Sequence, residues 1–193
     1  NTEITNIISE EDKEIEYGER AKWDYYWLID PIDGTKEFVK GGDDFCINIA
    51  LCKGSQPIFG YVACPKKKDQ YFAIQDRGAF KNGEPTYAIY SRNLQGDPIK
   101  VVASKSHLNK ETQDFIDKFE DPVIISTGSS IKLLFIAEDK ADVYPRIAPT
   151  SEWDTCAAHA VVKYAGGKVL DYFTLKELQY NKEDLLNPYF IVY

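Results

Sequence analysis

Hydrophobic periodicity changes half-way along this chain, and that change constrains the fold most. Over 46–52, 58–63 and 70–75 apolar residues come in short runs compatible with strands. Turn-forming stretches over 53–57 and 76–78 separate them, and Ala79-Phe80 pairs back. Short strands joined by tight turns predict an antiparallel meander. It is preceded by a strand over 6–9, a polar loop over 11–24 and a strand over 23–29. Beyond a cluster of Asn93, Gly96, Asp97 and Pro98 the pattern alternates. Strands are predicted over 99–103, 123–126, 141–144, 168–170 and 190–193. Helices are predicted over 106–119, from 128 to about 138 and over 154–165, the last stopped by Gly166-Gly167. The first of these helices rests on Leu108, Phe115, Ile116 and Phe119 at helical spacing. Such alternation makes a layered α/β fold. The expected architecture has a β-rich subdomain over 1–95, an α/β subdomain over 96–193, and a site between them.

Within that frame one stretch carries chemistry. Trp27-Leu28-Ile29 reads as a buried strand, and Asp30-Pro31-Ile32-Asp33-Gly34-Thr35 follows at once. Pro31 is expected to end the strand, since it offers no N–H to the ladder. Two carboxylates three residues apart at a strand end repel each other unless a cation lies between them. A hard divalent ion such as Mg²⁺ takes oxygen ligands of this kind. The competing reading is a turn, because Asp-Pro and Asp-Gly are common turn dipeptides.

Charge and cysteine content narrow the class. The formal net charge of −8 argues against binding a nucleic-acid polymer, which needs a basic face. No apolar run approaches the roughly 20 residues that span a bilayer. Cys46, Cys52, Cys64 and Cys156 form no CxxC pair and sit among apolar neighbours. Buried free thiols in a reducing compartment, the cytoplasm, are expected, with peripheral inner-membrane association left open. His107 and His159 lie in unrelated contexts, which gives zinc a poor case. Lys66-Lys67-Lys68 reads as a solvated loop tip, and Trp153 as packing.

Two more acids stand near element boundaries: Glu10 after the first strand and Asp154 at the start of the last helix. Alone, Asp154 would be a helix cap and Glu10 a solvated loop acid. Together with Asp30-Pro31-Ile32-Asp33-Gly34-Thr35 and Trp153-Asp154-Thr155-Cys156-Ala157-Ala158, they resemble the inositol monophosphatase superfamily of metal-dependent, lithium-sensitive phosphatases. Lys36-Glu37-Phe38 after the first motif is similar to its bacterial 3′(2′),5′-bisphosphate nucleotidase branch. Ser104-Lys105-Ser106-His107, Gly128-Ser129-Ser130-Ile131-Lys132, Tyr144-Pro145-Arg146 and Leu186-Asn187-Pro188 fit that branch too. The resemblance runs along essentially the whole chain.

It implies an α-β-α-β-α sandwich whose N-terminal helical segment is missing here. The chain opens at Asn1 and contains no Met, so it is expected to be part of a longer one. The resemblance further implies two or three Mg²⁺ ions held by Glu10, Asp30, the Ile32 carbonyl, Asp33 and Asp154, with Asp30 bridging two. Thr35 and Glu10 would orient the attacking water, and the Gly34 and Thr35 N–H groups would hold phosphate. His107, Ser129, Lys132 and Arg146 would line the adenosine and 5′-phosphate side. Ser129 and Ser130 as helix caps, Lys132 as a solvated lysine and His107 as a loop residue remain the alternatives.

The implied reaction is hydrolysis of the 3′-phosphate of adenosine 3′,5′-bisphosphate, with 3′-phosphoadenylyl sulfate as a second substrate and a homodimer as the assembly. An inositol monophosphatase, a fructose-1,6-bisphosphatase and a non-catalytic nucleotide- or metal-binding protein are the other readings.

Overall fold

The computed structural model describes residues 5–13, 15–87, 97–104 and 108–193. Seven strands form one sheet in sequential order: β1 (Ile7–Ser9), β2 (Tyr25–Asp33), β3 (Cys46–Lys53), β4 (Gln56–Cys64), β5 (Asp69–Ile74), β6 (Gly78–Lys81) and β7 (Glu84–Thr86). β1 runs parallel to β2, and every later pairing is antiparallel, which is the expected meander. Alternation selects one buried face, formed by Tyr26, Leu28 and Asp30 on β2 and Cys46, Asn48, Ala50 and Cys52 on β3.

Helix α5 (Glu152–Tyr164) lies across that face, touching β2 to β6. Its buried residues include the small Cys156, Ala157, Ala158 and Ala160, and at Ala157 and Ala160 it approaches the sheet closely. Contact is tightest at Gly60 of β4, where an added Cβ would come within 2.7 Å of Ala160 Cβ. Gly60→Val should therefore cost about 3 kcal/mol of unfolding free energy in urea titrations. Gly18→Ala is the control, since nothing lies within 4 Å of the added carbon.

Behind α5 comes a second β layer. β8 (Lys100–Ser104) and β9 (Val123–Thr127) pair in parallel. β10 (Tyr144–Arg146) and β11 (Val169–Asp171) flank β12 (Phe190–Val192). A bridge between Val101 and Val143 links the two groups. Successive β8 residues face opposite ways. Val102 joins the large core with α5 and α4 (Ile131–Ala137), while Val101 and Ala103 join a smaller core with Phe115 and Ile116 of α3 (Lys110–Ile116). The order is sheet, helices, sheet, helix, the layered α/β class expected. The large core draws residues from Ile8 to Val192, so both halves of the chain share it.

Several boundaries differ from the sequence reading. Pro31 does not end β2, which continues to Asp33 through an irregular register. The helix predicted over 106–119 covers only Lys110–Ile116, because the Asn109 side chain accepts a hydrogen bond from Thr112 N and caps it. Ser106 lies outside the described residues. Phe119 falls beyond that helix yet packs edge-on against Phe115. The strand predicted over 141–144 begins at Tyr144. Ser151, not Asp154, is the N-cap of α5. The loop over 11–24 contains the helical turn α1 (Tyr17–Arg20). All four cysteines are buried and free. They meet in pairs, Sγ to Sγ 3.0 Å for Cys46 and Cys64 and 3.3 Å for Cys52 and Cys156. Among the described residues no helix is long and apolar enough to cross a membrane.

Candidate active site

Three elements converge on one spot. Parallel pairing sets Ser9 beside Ile29, so Glu10 follows β1 next to Asp30 on β2. The N-terminus of α5 brings Asp154. One carboxylate oxygen from each of Glu10, Asp30 and Asp154 lies within 4.8 Å of the others.

Asp33 reaches the same region through a β-bulge. Residues three apart on a regular strand face opposite sides of a sheet. Against β3, however, Asp30 pairs with Asn48 and Asp33 with Cys46, so one extra residue is accommodated around Pro31 and Ile32. That insertion reverses the parity beyond Asp30. Gly34 then turns the chain with φ +91°, and a Cβ there would come within 2.8 Å of Asp44 O. The short helix α2 (Thr35–Val39) follows at once, with Thr35 Oγ1 donating to Ile32 O at 3.1 Å.

Electrostatics fit a cation. Asp30 is completely buried; its Oδ1 accepts from Ile32 N at 2.9 Å, and its Oδ2 has no hydrogen-bond partner. Burial, followed by the charges of Asp33 and Asp154, pushes its carboxyl up to about 8. Burial and the Asp33 charge likewise raise Asp154 to about 7, against the hydrogen bond it accepts from Ser151 N at 2.9 Å. Three converging acids, one with a buried, unpartnered oxygen, form an anionic oxygen cage beside the Asp33 charge, the donor set that hard divalent ions take.

The second half of the chain supplies donors. Asp33 Oδ2 accepts from Ser129 Oγ at 2.5 Å and from both Ser130 N and Ser130 Oγ at 2.6 Å. Ser130 is the N-cap of α4, but its side chain makes no cap bond; the capping alternative for it therefore fails. Ser129 sits in the left-handed region at φ 54°, a strained conformation for a residue with a Cβ. In that conformation Ser129 O accepts from Lys132 Nζ at 2.7 Å. Lys132 is buried, not solvated. Burial pushes its ammonium down to about 8; the Asp33 charge opposes this and Arg146 adds to it. Arg146 donates from Nη2 to Pro149 O at 2.7 Å, and its buried Nε has no partner.

Asp33, Ser129, Lys132, Tyr144, Arg146 and Asp154 line one cavity of about 90 Å³. On the other side of the carboxylates, Glu10, Asp12, Ser151, Trp153 and Leu186 line a second cavity of about 260 Å³. Trp153 packs on the core as expected. His159 is buried within α5, its Nδ1 2.9 Å from the Tyr180 hydroxyl. His107 lies outside the described residues.

Sequence reasoning missed Asn48. It is completely buried, sits opposite Asp30 and donates from Nδ2 to Ser130 Oγ at 2.8 Å. Its signal was parity: Asn48 falls on the inward register of Cys46, Ala50 and Cys52, where a polar side chain needs a reason.

The profile described as the inositol monophosphatase family matches residues 1–189. The chain belongs to that family. Among inositol monophosphatase family relatives, the 3′(2′),5′-bisphosphate nucleotidase CysQ of Salmonella typhimurium is 38% identical over 187 residues, 96% of this chain and 74% of that protein. The crystal structure of CysQ from Bacteroides thetaiotaomicron, described as a bacterial member of the family, is 44% identical. It superposes with a TM-score of 0.86 over 97% of this chain and 76% of that one. An IMPase from Thermotoga maritima is 29% identical with a TM-score of 0.74, over 97% and 68% of the two chains.

Proposed function

We propose that this chain is a metal-dependent 3′(2′),5′-bisphosphate nucleotidase that converts adenosine 3′,5′-bisphosphate to AMP and phosphate. The observation that carries the proposal is the pairing of a carboxylate cage with a separate cationic pocket. Glu10, Asp30 and Asp154 converge, and Lys132 and Arg146 line a cavity that begins at Asp33. A substrate with two phosphates needs both features. The CysQ relatives support the same substrate class, and 3′-phosphoadenylyl sulfate is its sulfated counterpart.

Glu10, Asp30, Asp33, Asp154 and the Ile32 carbonyl would hold two or three Mg²⁺ ions. Ions bound there neutralise phosphoryl oxygens and acidify water. The protein's own contribution is positioning. Thr35 Oγ1 donates its hydrogen bond to Ile32 O, so its lone pairs can accept a hydrogen bond from the attacking water, with Glu10 accepting that water's other hydrogen bond. On the family pattern, the N–H groups of Gly34 and Thr35 would hold phosphate oxygens. Ser129, Lys132 and Arg146, which line the cavity beyond Asp33, take the 5′-phosphate side. His107 is assigned to the adenosine side on the family pattern alone.

The site lies at the seam between the subdomains 1–95 and 96–193. The free thiols support a cytoplasmic location, and the family pattern implies a homodimer, which light scattering checks.

A substrate panel tests the reading. Adenosine 3′,5′-bisphosphate should be hydrolysed in Mg²⁺ at least tenfold more efficiently than inositol 1-phosphate or fructose 1,6-bisphosphate. Faster inositol 1-phosphate turnover would overturn it. Metal binding without phosphate release from any of them would favour a non-catalytic binder. Lys132→Gln should raise KM for the bisphosphate about tenfold, and by much less for adenosine 3′-monophosphate, which lacks the second phosphate.

A further inference from the structure

Asp44 stands outside every role assigned so far, yet it touches both halves of the site. It lies in the loop between α2 and β3 and is buried. Its Oδ2 accepts from Thr127 Oγ1 at 3.2 Å and from Gly128 N at 3.1 Å. Its Oδ1 pairs at 2.9 Å with Lys67 Nζ, from the helical turn that links β4 and β5. Lys67 is thus ion-paired rather than part of a merely solvated loop tip.

The backbone at Asp44 is equally constrained. A Cβ on Gly34 would come within 2.8 Å of Asp44 O, and one on Gly128 within 3.0 Å of Asp44 Cβ. The next residue, Phe45, packs edge-on against Phe38 of α2 at 5.1 Å between ring centroids. Asp44 is therefore wedged between the loop that follows Asp33 and the loop that carries Ser129 and Ser130. Those serines are the donors that hold Asp33.

We propose that Asp44, braced by Lys67, is a positioning residue that latches the Thr127–Ser130 loop, residues 127–130, onto the Asp33–Thr35 loop, residues 33–35. The latch sets the serine donors against Asp33 and places Ser129 O under Lys132. A carboxylate suits the task because one oxygen can take two donors while the other takes a cation. Removing it leaves Gly128 N and Thr127 Oγ1 without this acceptor and frees the loop to shift.

The inference rests on the nucleotidase reading for its kinetic arm only. In the metal-free protein, hydrogen exchange of the amides over 127–131 should be about tenfold faster in Asp44→Ala, the factor expected when a charge-assisted hydrogen bond is lost. Asp44→Asn keeps the acceptor and should stay within about threefold of wild type, as should Asp43→Asn at the exposed neighbour. In turnover of adenosine 3′,5′-bisphosphate, Asp44→Ala should raise both KM and the half-saturating Mg²⁺ concentration about tenfold, while Asp44→Asn, which keeps the loop's acceptor but loses the Lys67 pair, should raise each by no more than about threefold. A purely structural role would reduce the folded fraction without moving either constant. Unchanged exchange in Asp44→Ala, or an Asp44→Asn as impaired as Asp44→Ala, overturns the latch. If wild type fails to hydrolyse the bisphosphate, the functional reading fails and the exchange experiment still decides the latch.

Discussion

Asp30→Asn should abolish phosphate release and, in the absence of metal, yield a more stable protein than wild type. Both halves follow from the same burial. The Asp30 carboxylate is completely buried beside the charges of Asp33 and Asp154, and its Oδ2 has no hydrogen-bond partner. Loss of a ligand charge at the centre of the cage should reduce turnover by roughly 10³-fold or more. The amide keeps the acceptor for Ile32 N and supplies a donor for neighbouring carboxylates. With the carboxyl raised to about 8, wild type ionises in the folded state at a cost that Asn avoids. The gain at pH 8 should be on the order of a few kcal/mol in urea unfolding with EDTA. Turnover near the wild-type rate would remove Asp30 from the cage. A variant less stable than wild type would contradict the repulsion.

The second expectation concerns pH and metal together. A carboxyl raised in the folded state favours the folded form while protonated, and this contribution is lost as pH rises through the folded value. Asp30 and Asp154, raised to about 8 and about 7, therefore destabilise the metal-free protein progressively up to pH 8. Other groups act oppositely at lower pH. Glu177, held down to about 2 by His159 and Lys163, contributes stability that is full above its ordinary value near 4.5 and is lost as pH falls towards 2. Burial lowers His159, whose contribution is full above its ordinary value near 6.5 and is lost as pH falls below it. Between pH 6.5 and 8 the raised carboxyls dominate. In EDTA the unfolding temperature should fall across that interval by several degrees, and saturating Mg²⁺ should raise it more at pH 8 than at pH 6.5. Differential scanning fluorimetry reads both. A flat or rising temperature in EDTA, or an equal Mg²⁺ effect at both pH values, would refute the account.

The sequence displayed the elements better than their junctions. The meander was legible because each strand alternates and each turn carries Gly, Asn, Asp or Pro. Glu10, Asp30 and Asp154 were legible as acids at element boundaries. The bulge was not: Pro31 looked like a stop, and only the register against Cys46 and Asn48 shows the strand continuing past it. Ser130 looked like a helix cap because Ser before an apolar run usually is one; its hydroxyl faces Asp33 across a fold that local pattern cannot reveal. Asp44 and Lys67 were ordinary loop charges until the chain brought them together. Asn48 could have been found, since strand parity alone puts it inside.

The placement of α5 also has consequences for how the chain comes to be folded. Its strands β2 to β6 are sequential neighbours and can zip together hairpin by hairpin, with little loop-closure entropy at each step. The helix that covers their apolar face starts at Glu152, long after β7 ends at Thr86. At about 5–20 residues per second, the sheet leaves the ribosome seconds before its cover does. For that interval Tyr26, Leu28, Ala50 and Val62 face solvent on a surface made to be buried. Synthesis rate and chaperone supply should accordingly govern the yield of this protein more than mutations on its exposed loops.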